Sequence, residues 1–317
     1  MSHFTVLVIG KKAEKQLAPF SESIKVAPYV REIVSEEDKN RFIEYYTKEK
    51  EGITILQKER PVYFTLDSNQ KIWRHQSDGL GVEITFDDLY REKGKDWNDR
   101  VWEYNDEGIL VEYSTYNPNS KWDWYELGGR WTGYFKLKEG AKGKLGEPGL
   151  MTEKAKVGYA DLALKKDIDF DFMRKVAEEQ AIESYDKAMG IIGELPINES
   201  WEVVIARIDD VEEAREIYWN QPRCKAWKDQ KGGAILGFSS SPDDFLMTKD
   251  EYVQEAKNGA IVTFAVLKDG KWYEKGKMGW WACVTNEKDK KSWNAEFAAL
   301  IDSLSDDTLL SVYDCHI

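Results

Sequence analysis

A chain of 317 residues with 42% hydrophobic and 32% charged residues carries enough apolar side chain for a core, which excludes disorder and points to two lobes. Its 45 Lys and Arg against 58 Asp and Glu leave a formal charge of −13, the wrong sign for a general nucleic-acid binder, whose affinity comes from neutralising phosphates. The apolar run Phe4–Ile9 is far shorter than a membrane span or the core of a secretion signal, and Cys224, Cys283 and Cys315 have no paired short spacing, so the expectation is a reduced cytoplasmic protein with no membrane partner.

Phe4-Thr-Val-Leu-Val-Ile9, closed by Gly10, has the continuous apolar character of a strand buried on both faces. Ser35-Glu-Glu-Asp38 resembles a capping box and opens a helix carrying Phe42, Ile43, Tyr45 and Tyr46. From Pro61 the pattern turns to short aromatic strands with turn signals at Asn105-Asp-Glu-Gly108 and Asn117-Pro-Asn119, which predicts an inserted aromatic-rich β lobe over 61–150. Eight lysines between Lys136 and Lys166 make that stretch locally positive, either as a solvated Gly-rich loop or as a phosphate-facing arm. A basic loop and a long helix over 151–194 then form the connection, the helix introduced by Asp167-Ile-Asp-Phe-Asp171. These aspartates are explained by the helix N-terminus; Phe172 stands where a calcium loop needs glycine.

In the last third, Trp201–Ile208 reads as a strand, Asp210-Val-Glu-Glu213 as the cap of a helix, and Thr248-Lys-Asp-Glu251 as the cap of another. Ile261–Leu267 and Lys271–Glu274 make a hairpin across Asp269-Gly270, Ser292 caps a helix bearing Trp293, Phe297, Leu300 and Ile301, and Thr308–Tyr313 closes as a strand. This order predicts an α+β fold with a ferredoxin-like split βαβ antiparallel sheet built from 1–60 and 195–317.

The densest motif is Lys121-Trp-Asp-Trp-Tyr-Glu-Leu-Gly-Gly-Arg-Trp-Thr-Gly133. Strand alternation would put Trp122 and Trp124 on one face and Asp123 and Tyr125 on the other, while Gly128 and Gly129 permit a turn before Arg130 and Trp131. Flat aromatic faces beside a guanidinium suit a planar or anionic ligand; packing into a core is the competing explanation. Lys277-Met-Gly-Trp-Trp-Ala-Cys283 supplies a second cluster, with Trp280 and Trp281 pointing in different directions, one of them free to extend a ligand wall. His3 and His316 flank the first and last predicted strands. If these pair antiparallel, His3 approaches His316 with Asp314 on the same face, a candidate acid–base or metal set, with a polar sheet rim as the alternative. Cys315 would face the other side. No phosphate-binding glycine loop, nucleophile elbow or zinc-protease helix is present, and no cofactor is expected.

The chain resembles a family of uncharacterised proteins encoded by phages and prophages. The resemblance lies in Ser2-His-Phe-Thr-Val-Leu-Val8, Trp122-Asp-Trp-Tyr125 with Gly128-Gly-Arg-Trp131, Gly158-Tyr-Ala-Asp161 with Lys166-Asp-Ile-Asp169, Met278-Gly-Trp-Trp281, and Asp307-Thr-Leu-Leu310 with Asp314-Cys-His316. No activity accompanies that family. The resemblance implies work in an infected bacterial cytoplasm, where accessory phage proteins modulate host processes or counter defence. The resulting expectation is a binding protein that captures a nucleotide-like small ligand, or blocks a host defence protein, through the Trp122–Trp131 surface together with Trp280 and Trp281. A His-dependent or metal-dependent enzyme acting on a nucleotide or phosphorylated substrate is the second expectation, and a structural or assembly protein the third.

Overall fold

The computed structural model describes residues 2–47, 62–76, 81–94, 101–149, 157–230, 236 and 240–317, with Trp280 described by its backbone alone. The fold is mixed α/β and divides into two units, one formed by Met1–Ser21 with Lys121–Ile317 and the other by Glu22–Ser120. The unit boundary places 121–149, and with it the whole tryptophan motif, in the unit that holds the first and last strands rather than in the inserted lobe expected over 61–150.

The larger unit is organised by an eight-stranded sheet. Its members in chain order are β1 (His3–Ile9), β2 (Trp124–Gly129), β3 (Gly143–Lys144), the short strand Glu147–Pro148, β4 (Leu162–Leu164), β5 (Ala265–Lys268), β6 (Lys271–Glu274) and β7 (Leu309–His316). β1 lies between β5, which it pairs in parallel, and β7, which it pairs antiparallel in the register His3↔His316 to Ile9↔Leu310. The other edge of β7 is shared: Leu309–Ser311 pair with β4, and Tyr313–His316 pair with β2. β1 and β7 are mostly buried because both sheet faces are covered. One face carries Leu7, Ile9, Leu310 and Val312 against Trp293, Phe297 and Ile301. The other carries Phe4, Val6, Val8, Tyr313 and Cys315 against Leu17, Phe20 and Trp122.

Besides the short helix Ala13–Leu17, this unit contains α1 (Phe170–Ile192), α2 (Trp201–Arg207), α3 (Val211–Asn220), α4 (Pro222–Asp229), α5 (Lys249–Gly259) and α6 (Lys290–Ser303). α1 is capped by Asp169, α3 by Asp210 and α5 by a Thr248–Glu251 capping box, so acids at helix starts serve the backbone. Two corrections follow for the ferredoxin-like expectation. Trp201–Ile208 is not a strand: Ser200 accepts from the Val203 N–H, Asp243 accepts from the Trp201 N–H, and Val204 is buried against Ala214, Tyr218 and Cys224. Tertiary packing of a single apolar stripe thus overrides the β-branched composition. The sheet is also mixed rather than antiparallel, since β1 and β5 run parallel as direct neighbours.

The smaller unit contains the three-stranded sheets Lys25–Ile33/Leu110–Tyr116/Val101–Tyr104 and Val62–Leu66/Ile72–Gln76/Gly81–Ile84, with helices Glu36–Thr47 and Phe86–Lys93. Phe42, Phe64, Ile72, Leu89, Trp102 and Leu110 form its core. No helix among the described residues is long and apolar enough to cross a membrane.

Candidate functional site

Side chains alternate along a strand, so the antiparallel register of β1, β7 and β2 decides what meets. His3, His316 and Trp124 occupy one row on one face, and Thr5, Asp314 and Glu126 the next. The expected approach of His3 to His316 is present, with ring centroids 4.8 Å apart and an edge-to-face angle of 67°. Trp124 lies across the same row, its ring 6.4 Å from that of His3.

Each histidine is fixed by its own carboxylate. His3 Nδ1 lies 2.8 Å from Asp314 Oδ1, and His316 Nδ1 pairs with Asp123 Oδ1. An ionised carboxylate only accepts, so both Nδ1 atoms carry the proton, and in a neutral ring of this tautomer Nε2 is the acceptor. Asp314 is 1% exposed, and its second oxygen accepts the Arg130 N–H at 3.0 Å. Asp123, expected opposite the tryptophans, therefore joins the histidines. Among the described residues no group of three or more His, Cys, Asp or Glu is arranged to hold a metal ion. What His3, Asp314 and His316 provide is a pair of oriented imidazoles.

The glycine pair explains how β2 reaches these groups. Gly128 and Gly129 have φ of +78° and +53°, a conformation that a Cβ disfavours. A Cβ on Gly128 would lie 2.5 Å from Asp161 Oδ2, and one on Gly129 would lie 2.5 Å from Asp314 Cβ. Each glycine thus admits one buried aspartate. Asp161, wholly buried, accepts from Thr132 Oγ1, the Tyr134 N–H and the Gly146 N–H, and so fixes the turn that carries Arg130 and Trp131.

The expected surface is split by burial. Trp122 is 8% exposed, its indole N–H donates to the Leu17 carbonyl, and Tyr125 packs edge-on against it at 4.7 Å. Trp122 is not in β2, which begins at Trp124, so alternation does not place the two tryptophans together; Trp122 is core, and Tyr125 is half-buried beside it. Trp124 is 47% exposed, Arg130 is exposed, and Trp131 is half-buried. The second cluster arrives at the same end of β1: Ser2 Oγ donates to the Gly279 carbonyl at 2.8 Å and accepts the Ala282 N–H at 2.7 Å. Within that loop Trp281 and Ala282 hold φ of +59° and +57°, and Trp281 is 81% exposed. The Trp280 side chain lies outside the described residues.

Sequence reasoning missed Glu126, Asp123 and Asp161. Burial, reinforced by the charges of Asp314 and Glu147, holds the Glu126 carboxyl above its ordinary range. The alternation Trp124-x-Glu126 would have put it on the histidine face once β2 was known to pair with β7. Cys315, expected on the opposite face, is buried there, and burial pushes its thiol well up, which makes it a packing residue and not a nucleophile. Chemically, the sheet end offers two oriented imidazoles, a carboxyl that resists ionisation, an exposed indole and a guanidinium-bearing turn. Comparison with protein-family models, curated proteins and solved structures yields no match for this chain.

Proposed function

We propose that the end of the sheet bearing His3, His316 and Trp124 is a binding site for a planar, anionic small molecule of the nucleotide class. The observation that supports this most directly is the row of three rings in which both imidazoles are held by aspartates and an exposed indole stands beside them. Arg130 suits phosphate oxygens, the Nε2 acceptors suit hydroxyl or amino donors of a sugar or base, and the Trp124 face suits the base ring. The resemblance to phage-encoded proteins adds a setting: an accessory protein in the bacterial cytoplasm that withdraws such a ligand, or that presents the same surface to a host defence protein.

Isothermal titration with nucleoside mono- and diphosphates tests the reading. Loss of a good stack is worth about 1–3 kcal/mol, so Trp124→Ala should weaken binding by roughly 5- to 150-fold. Arg130→Ala should weaken it as well, with unfolding of either variant unchanged. Equal affinity in wild type and both variants would remove the assignment.

The paired histidines favour a second reading, acid–base catalysis on a phosphorylated substrate, in which one ring accepts a proton while the other donates. Glutamine at His316 should then abolish turnover followed by phosphorus NMR while leaving substrate affinity within about threefold, since the energy lost belongs to the transition state. Absence of turnover in the wild-type protein would leave the binding reading alone.

A further inference from the structure

A second concave site of the larger unit is built from residues other than the histidine pair and its neighbours. It is a cleft of about 1040 Å³ lined by α2, α3, α5, the turn Pro242–Phe245 and Lys290 at the start of α6. Its walls are aromatic: Trp201, Tyr218, Trp219 and Tyr252 line it, with Trp201 and Tyr218 edge-to-face at 5.6 Å. The lining carboxylates Glu202, Asp243, Asp244 and Glu255 outnumber the cations Arg215 and Lys290. Arg215 is drawn to Glu212, outside the cleft, and Lys290 approaches Glu255 only at 3.8 Å. Two of the acids serve the fold. Asp244 caps the Pro242–Phe245 turn, and Asp243 accepts from Asn198 Nδ2, the Trp201 N–H and the Tyr218 hydroxyl. Glu202 and Glu255 belong to α2 and α5 and line the cleft without a capping role.

One polar atom beside this network is unfinished. Asn198 is 5% exposed, and its Oδ1 is the buried side-chain oxygen without a hydrogen-bond partner among the described residues. Asn198 does not line the cleft, but its amide is bonded to Asp243, which does. Its orientation is settled by those bonds, because turning the amide over would aim its oxygen at the Asp243 carboxylate.

We propose that this cleft binds a small alkylammonium ligand of the polyamine class, with methylene runs against Trp201, Trp219 and Tyr252 and ammonium groups against Glu202, Asp243 and Glu255. Aromatic faces attract ammonium groups and also shed water against methylenes, while an anionic ligand would meet an excess of carboxylate. Neither the chemistry nor the position depends on the histidine site.

Calorimetric titration of the full chain with spermidine is the test, with magnesium and 1,8-octanediol as probes of charge alone and of the hydrocarbon alone. Saturable one-to-one spermidine binding is expected, undisplaced by equimolar magnesium and absent with the diol. The double substitution Glu202→Gln/Glu255→Gln should weaken it at least about tenfold, and Trp219→Ala at least about fivefold. Trp124→Ala should leave spermidine affinity unchanged, which separates this site from the nucleotide-class site. Non-saturable heats, full competition by magnesium, or wild-type affinity in both cleft variants would overturn the proposal.

Discussion

Asp314→Asn probes the site most sharply, because both oxygens of this buried side chain are committed. Oδ1 faces His3 Nδ1 at 2.8 Å, and Oδ2 faces the Arg130 N–H at 3.0 Å. The backbone N–H can only donate, so the single amide oxygen must turn toward Arg130 and the new NH2 toward His3. Two donors would then oppose each other unless His3 moves its proton from Nδ1 to Nε2. One charge-assisted bond becomes neutral and the other reverses polarity, a loss of about 1–3 kcal/mol in a side chain that is almost wholly buried. Urea unfolding followed by circular dichroism should register that loss. Long-range nitrogen–proton NMR should show His3 switching tautomer while His316, held by Asp123, keeps its own. Nucleotide-class binding should fall in parallel, since the Nε2 presented to ligand changes from acceptor to donor. A variant in which His3 still carries its proton on Nδ1, with stability within about 0.5 kcal/mol of wild type, would refute the reasoning.

Trp122→Ala and Trp124→Ala should separate core from surface. The first deletes a buried indole and its bond to Leu17 and should cost about 3–5 kcal/mol of stability, the second less than about 1 kcal/mol, as measured by thermal unfolding. Gly129→Ala combines a left-handed backbone with a Cβ set against Asp314 and should cost about 2–4 kcal/mol; an unchanged melting temperature would show that the β2 turn relaxes freely. Glu126→Gln has a pH signature. The folded chain holds this carboxyl above its ordinary range, so the fold binds the proton more tightly than the unfolded chain and loses stability as pH rises through the window starting near the ordinary glutamate value. The glutamine variant should therefore raise the urea midpoint at about pH 7 and match wild type at about pH 3, where both side chains are neutral; equal midpoints at both pH values would contradict the burial-driven shift.

The parts legible in the sequence are those set by local chemistry. Phe4–Ile9 announces a strand buried on both faces, and the Asp210, Thr248 and Ser35 caps mark helix starts because their side chains bond to backbone three residues on. The helix over 290–303 starts three residues earlier than expected, with Asp289 as the cap and the Ser292 N–H as its donor. Trp201–Ile208 misled because its run of β-branched and apolar residues has the composition of a strand, and only the distant Asp243 carboxylate and the Val204 contacts make it a helix. Parallel pairing of β1 with β5 was equally hidden, since partner choice in a sheet is made by segments more than two hundred residues apart in sequence.

The site followed the same division. His3 and His316 could be brought together from two strand ends alone, because antiparallel pairing sets the start of one strand beside the end of the other. The strand that completes the site could not be placed in that way. β2 ends on a glycine pair whose sequence says only that the backbone turns. The reason both positions are glycine lies with Asp161 and Asp314, which are 33 and 185 residues beyond Gly128 and Gly129 and occupy the volumes that two Cβ atoms would need. The motif that looked like a platform of tryptophans is therefore a hinge between a core and a surface. Trp122 anchors it from within, Asp161 and Asp314 fix its turn, and Trp124 is left at the edge beside two imidazoles. Rigidity of this kind gives a ligand site its selectivity, because a side chain already held in place loses little freedom when the ligand arrives.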